Sequence, residues 1–214
     1  MGRIRVLLAD DHKLLAEACV KLLEPHFEVV GVVGDGRDLL ERTPKLKPEI
    51  VVLDIGMPLM NGLEAAKALK KMQPGIKIIF LTSHEDPDLA AEAMRIGAAG
   101  YLLKTSAASE LVKAIGEAIK GQRYITPSVT RGMEDLFIRD PELNRVSKDL
   151  TPRQREVLQL LAEGHPMKEV GYILKLSSRT VAFHKYRMME HLGVKSSAEL
   201  IQYAVQNHIV ISKP

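Results

Sequence analysis

The chain has 214 residues, 46% of them hydrophobic and 27% charged, with a formal net charge of +3. That length accommodates one large domain or two small ones, and the single cysteine, Cys19, excludes an internal disulfide and a cysteine-built zinc site. No run of about 18 apolar residues occurs and no long apolar segment opens the chain, so no membrane span or signal peptide is expected and the default compartment is the cytoplasm.

Apolar runs and helical patterns alternate through roughly the first 120 residues. "IRVLLA" is followed by "HKLLAEACVKLLE", a helical pattern in which Cys19 falls on the packed face and reads as an inert core thiol. "FEVVGVV" precedes "GRDLLERTPKL", "IVVLD" precedes "GLEAAKALKKM", "KIIFLT" precedes "DLAAEAMRIG", and "GYLLK" precedes "ASELVKAIGEAIK". The apolar runs are short, rich in Val, Ile and Leu, and lack polar alternation, as strands buried on both faces of a parallel sheet do. Repeated β-α units with short connections predict an α/β fold, a doubly wound five-stranded parallel sheet with helices on both sides.

From Gly121 to about Asp149 the pattern dissolves, and only "VTRGMEDLFI" has the character of a short helix. The stretch reads as an interdomain connection. Beyond Leu150 four helical segments and no strand candidate are expected, making a small all-α unit. "TPRQREVLQLLAEG" opens with Thr151 at the N-cap and proline in the first turn, and stops at Gly164. "MKEVGYILKL" is short and carries Gly171 in its interior, at a cost of about 1 kcal/mol relative to alanine. "SSRTVAFHKYRMMEHLG" is capped by Ser177 or Ser178 and closed by Gly193, and "SSAELIQYAVQN" follows. The tight "LKLSS" connection between the second and third segments suggests a helix-turn-helix.

The apolar runs end in chemistry. Asp10 and Asp11 close the first, Asp54 the third, Thr82 the fourth and Lys104 the fifth. In an open parallel sheet ligands bind beyond the carboxyl ends of the strands, so three carboxylates, a hydroxyl and an ammonium converge on one rim. Two readings of the adjacent pair are open: Asp11 caps the helix that begins near Lys13, or both acids serve a cation together with Asp54. Three uncompensated acids cost several kcal/mol, or hold protons. A hard dication such as Mg2+ resolves the conflict with oxygen ligands. A carboxylate beside that ion can attack phosphorus, with Lys104 and Thr82 on the phosphoryl oxygens. From Lys148 onward, ten Lys and Arg stand against six Asp and Glu, which suits a polyanionic partner for the tail.

"DD" at the first strand, "DIGMPLMNG", "LTS" and "GYLLK" together resemble the flavodoxin-like receiver domain of two-component response regulators. The resemblance implies that Asp54 accepts a phosphoryl group from a sensor histidine kinase. It makes Asp11, Asp54 and the Gly56 carbonyl direct Mg2+ ligands, with Asp10 acting through water. Thr82 and Lys104 assist the transfer, and Thr82 with Tyr101 forms a switch pair. "LTPRQREVLQLLAEG", "SSRTVAFH", "HLGV" and "AELIQYA" resemble LuxR-type DNA-binding domains, which makes the whole chain similar to NarL/FixJ-type regulators. The implied arrangement is a receiver at 1–124, a linker at 125–148 and a DNA-binding domain at 149–214. The transcription factor would act as a homodimer paired through the last helix.

On the third helix of the tail, Val181, Met188 and Leu192 share one face and should pack inward, with His184 beside it. Arg179, Ala182, Phe183, Tyr186 and Arg187 lie on or near the opposite stripe and are the expected contacts to the DNA major groove. Thr180, His184 and Lys185 are expected at phosphates. The competing view places Phe183 and Tyr186 in an interhelical core. Two rival functions are weighed: a constitutive DNA-binding protein with a structural acidic pocket, and an aspartyl phosphohydrolase. The latter needs a second acid two residues after its nucleophile, where this chain has Gly56, so an enzyme is not expected.

Overall fold

The computed structural model describes residues 2–131 and 150–210. They fall into two compact units. In the first, the element order is β1 (Arg5–Ala9), α1 (Lys13–Leu23), β2 (Glu28–Val33), α2 (Gly36–Leu46), β3 (Ile50–Leu53), α3 (Gly62–Met72), β4 (Lys77–Thr82), α4 (Pro87–Ile96), β5 (Gly100–Leu103), α5 (Ala107–Ile119) and β6 (Tyr124–Ile125). All strand pairings are parallel, in the order β2-β1-β3-β4-β5-β6.

Strands β3, β4 and β5 are buried almost throughout because helices cover both faces. On one face Ala16, Cys19 and Leu23 of α1 and Leu111, Ala114, Ile115 and Ala118 of α5 pack on Val6, Leu8, Val52, Ile79, Leu81 and Leu102. On the other, α3 packs between α2 and α4. The chain order reverses between β1 and β3, which lie side by side. That switch point sets Asp10 and Asp54 at neighbouring strand ends.

The sheet has a sixth strand where five were expected. Tyr124–Ile125 adds to the edge of β5, and Thr126 continues the attachment: its N–H donates to the Tyr101 carbonyl at 3.0 Å and its hydroxyl to Glu110 at 2.8 Å. Val129 is buried. Residues 124–131 therefore belong to the first unit and not to the connection expected from 125. A two-residue strand is too short for periodicity to reveal. The helix expected in "VTRGMEDLFI" lies mostly outside the described residues, as does the rest of the connection.

The second unit contains α6 (Pro152–Ala162), α7 (Met167–Leu174), α8 (Ser178–Leu192) and α9 (Ser197–Gln206) around Val157, Leu158, Leu160, Val170, Leu174, Val181, Met188, Leu200 and Ala204. Thr151 caps α6 in a capping box with Gln154. Ser177, not Ser178, caps α8 by accepting from the Thr180 N–H at 3.0 Å, and Gly193 ends it in a left-handed conformation. Gly171 is not the defect its propensity suggests. A Cβ there would stand 2.7 Å from the Leu176 carbonyl oxygen, so glycine lets the turn between α7 and α8 fold back on the helix.

Candidate functional site

The rim at the carboxyl ends of β1, β3 and β5 holds a compact set of charges. The Lys104 ammonium lies 2.8 Å from Oδ2 of Asp54 and 2.8 Å from Oδ2 of Asp10. All three side chains are at most 10% exposed. Two buried carboxylates are thus compensated by one buried cation, as their desolvation requires. Burial pushes the Asp54 carboxyl above the ordinary range and the Asp10 charge adds to this, while Lys104 and the Gly56 N–H, 3.2 Å from Oδ1, oppose it. For Lys104, burial pulls the pKa down but Asp54 and Asp10 outweigh it, so the ammonium is held charged.

Asp11 does not cap α1. The N-cap position is His12, and no side chain caps that helix. Asp10, Asp11, His12 and Asp54 each offer a ligand atom, all within 4.8 Å of one another. His12 is the member of this group that sequence reasoning missed. Its Nδ1 stands 3.2 Å from Asp10, 3.1 Å from Asp11 and 3.3 Å from the Lys104 ammonium. Its position directly after the acid pair was the available signal. Three carboxylates in this space suit a small hard cation.

The loop after Asp54 is shaped by its backbone. A Cβ on Gly62 would lie 2.1 Å from the Asp54 carbonyl oxygen, so only glycine permits α3 to start against the strand end. Leu59, five residues after Asp54, takes a left-handed φ of 65°, a strained position for a side chain of its size. Asn61 caps α3 through the Glu64 N–H at 2.9 Å. Thr82, fully buried, accepts from the His84 N–H at 3.2 Å, and the buried Tyr101 donates to the His84 carbonyl at 2.9 Å. Burial, reinforced by the charges of Asp86 and Asp54, pushes the Tyr101 hydroxyl well above its ordinary range, so it remains a donor.

In the second unit Val181 and Met188 are fully buried and Leu192 is half-buried. Phe183 and Tyr186 are 59% and 62% exposed, which overturns the interhelical-core alternative. Arg179 and Arg187 are exposed beside them, while Thr180, Ala182, His184 and Lys185 are half-buried at the flanks of the stripe. Thr180 is engaged with the cap, its hydroxyl 2.8 Å from that of Ser177. Tyr172 on α7 is a further aromatic of this unit left 87% exposed. Among the described residues no helix is long and apolar enough to cross a membrane.

Residues 6–116 match the model of the response regulator receiver domain, and residues 148–204 match that of the bacterial regulatory proteins of the luxR family. The chain is 32% identical to the response regulator GacA of Pseudomonas aeruginosa, over 97% of this chain and 98% of that protein. It is also 32% identical to the response regulator UvrY of Escherichia coli, over 95% and 94%. Among solved structures it is similar to RcsB of Salmonella enterica serovar Typhimurium bound to a promoter in the presence of the phosphomimetic BeF3−. That likeness has a TM-score of 0.61 and 30% identity, and covers 94% of this chain and 98% of that one.

Proposed function

The chain belongs to the two-component response regulators that join a receiver domain to a LuxR-type DNA-binding domain, and on that footing we propose that phosphorylation of Asp54 controls DNA binding by α8. The observation that carries this reading is the Lys104 ammonium held 2.8 Å from both Asp54 and Asp10 across three separate strand ends. A structural pocket has no need of so dense a set of buried charges.

Asp54 is the nucleophile and a phosphohistidine of a sensor kinase is the donor: the Asp54 O–P bond forms as the P–N bond breaks, and the imidazole leaves and takes up a proton. Asp54 and Asp11, with the Gly56 carbonyl, would hold Mg2+ directly, and Asp10 would act on it through water. The ion supplies neutralisation of charge on the phosphoryl oxygens. Lys104 leaves the Asp54 carboxylate for a phosphoryl oxygen, and Thr82 turns its hydroxyl from the His84 N–H to another. The new group brings about 1.5–2 negative charges to the rim. The pull on Thr82 reaches Tyr101 through the backbone of His84, which both residues hold. The receiver then passes between two states, and a nearly complete switch takes about 5.5 kcal/mol of differential stabilisation.

The output is double-stranded DNA, read in the major groove by Arg179, Phe183, Tyr186 and Arg187, with Thr180, Ala182, His184 and Lys185 at the edges. RcsB, to which the chain is similar, has been solved as dimers on DNA, which supports action as a homodimer here, in the cytoplasm. The test is Mg2+-dependent labelling with a small phosphodonor, followed by a DNA titration. The expected result is an acid-stable, hydroxylamine-labile adduct on Asp54 and tighter binding by the labelled protein. Absence of the adduct, or equal affinity for wild type and Asp54→Asn with and without donor, overturns the reading.

A further inference from the structure

Phe183 is a large apolar side chain left 59% exposed on the outward stripe of α8. Its neighbours give it a use. The Arg187 guanidinium lies over the ring, 5.9 Å from the centroid, one helical turn on. The His184 ring stands against it edge-on at 5.9 Å. Arg187 also pairs with Glu190, 3.6 Å from Nη1. Arg187 is nonetheless 63% exposed at its side chain. The guanidinium thus has the ring and a carboxylate as neighbours and stays open to solvent.

Such an arrangement favours a planar, hydrogen-bonding target beside an apolar one. An arginine already resting on a ring loses less rotamer freedom when it binds than a free one. The surroundings are basic, with Arg179 and Lys185 on the same helix against the single Glu190, which suits nucleic acid over a protein partner. In the major groove a thymine offers a methyl group, and a guanine offers O6 and N7 to a guanidinium. Side chains in contact with each other reach neighbouring base pairs, about 3.4 Å apart along the strand.

We propose that Phe183 and Arg187 read DNA as one unit, Phe183 meeting a thymine methyl and Arg187 pairing with a guanine on the adjacent base pair. This rests on the reading of α8 as the DNA-binding helix. Because the guanidinium is oriented by the ring, loss of Phe183 should weaken both contacts, whereas loss of Arg187 should remove only its own.

The test uses the full chain with phosphodonor and Mg2+. A preferred duplex is selected from a random-sequence pool. It is then remade with uracil for each thymine in turn, or 7-deazaguanine for each guanine, and titrated with wild type, Phe183→Ala and Arg187→Ala. For wild type, one uracil per half-site should weaken binding about fourfold, the worth of one buried methyl group. One 7-deazaguanine on the neighbouring base pair should weaken it about tenfold. Phe183→Ala should lose the uracil effect and most of the 7-deazaguanine effect. Arg187→Ala should lose the second and keep the first. Both side chains are exposed, so unchanged thermal melting of the variants confirms that folding is not at issue. Uracil sensitivity that survives Phe183→Ala, its absence in wild type, or sensitive positions that are not adjacent would overturn the proposal. Failure to select any preferred duplex would instead remove the DNA-binding reading, and the proposal with it.

Discussion

Thr82 and Tyr101 hold opposite ends of the same residue: the His84 N–H donates to the Thr82 hydroxyl at 3.2 Å, and the His84 carbonyl accepts from the Tyr101 hydroxyl at 2.9 Å. The two side chains come from neighbouring strands, so one backbone unit ties the rim of the pocket to the interior of the β5 side. Tyr101→Phe keeps the ring and deletes one hydrogen bond. It should cost about 1 kcal/mol in the urea unfolding of the first unit and leave labelling of Asp54 intact. Loss of labelling would mean that the tyrosine acts at the pocket itself and not through His84.

Asp54→Asn should stabilise the protein when no divalent cation is present. Burial, and after it the Asp10 charge, raises the Asp54 carboxyl above its ordinary value against the pull of Lys104. The sign follows: a raised carboxyl favours the folded state when protonated, and that contribution is lost as pH rises through the folded pKa. The substitution should therefore help most at neutral pH and cease to help below about pH 4, where the unfolded carboxyl is itself protonated. The gain is read as a higher melting midpoint, each 1 kcal/mol being worth roughly 3–5 °C in a domain this size. Melting curves from pH 4 to 8 decide it, and a variant that melts lower at pH 7 counts against the argument.

Removal of Lys104 should be costly in a way that a cation corrects. Lys104→Met leaves the carboxylates of Asp10 and Asp54, 2% and 4% exposed at the side chain, without their ammonium. Breaking a buried pair from one side costs about 3–5 kcal/mol. Urea midpoints measured with and without millimolar Mg2+ should show the variant recovering more stability than wild type. Equal responses would dissociate the lysine from the cation site.

Gly171→Ala opposes helix propensity to packing. Propensity predicts a gain of about 1 kcal/mol, but the added Cβ falls 2.7 Å from a backbone oxygen, which cannot swing aside. The expected outcome is a loss of about 1–3 kcal/mol confined to the second unit, with the first unit's transition unchanged. Separate melting of the two units by calorimetry reads this directly.

Cys19 should be silent toward thiol reagents. It is buried among α1 and α5, and burial, with Asp10 adding, pushes its thiol up to about 11. At pH 8 a disulfide-forming chromogenic reagent should react only at the rate of unfolding. Rapid labelling of the folded protein would show that α1 opens.

Much of this molecule was readable in one dimension because its signals are local. Apolar runs without alternation, the cap at Thr151, and acids placed directly after strands each follow from a few neighbouring residues. The parallel sheet and the four-helix tail could be read from those runs and caps alone. What depended on distant residues was not. That Lys104 bridges Asp54 and Asp10, that His12 rather than Asp11 stands at the start of α1, and that Gly171 answers to a carbonyl five residues ahead are facts of how the chain returns on itself. The sixth strand escaped for a related reason: two residues carry no period, and only the open edge of β5 makes Tyr124–Ile125 a strand. The sequence determined that Asp10, Asp54 and Lys104 meet at the rim, because each closes its own strand. Tertiary structure decided how they pair, because desolvation makes each buried charge depend on partners that the order of the chain does not name.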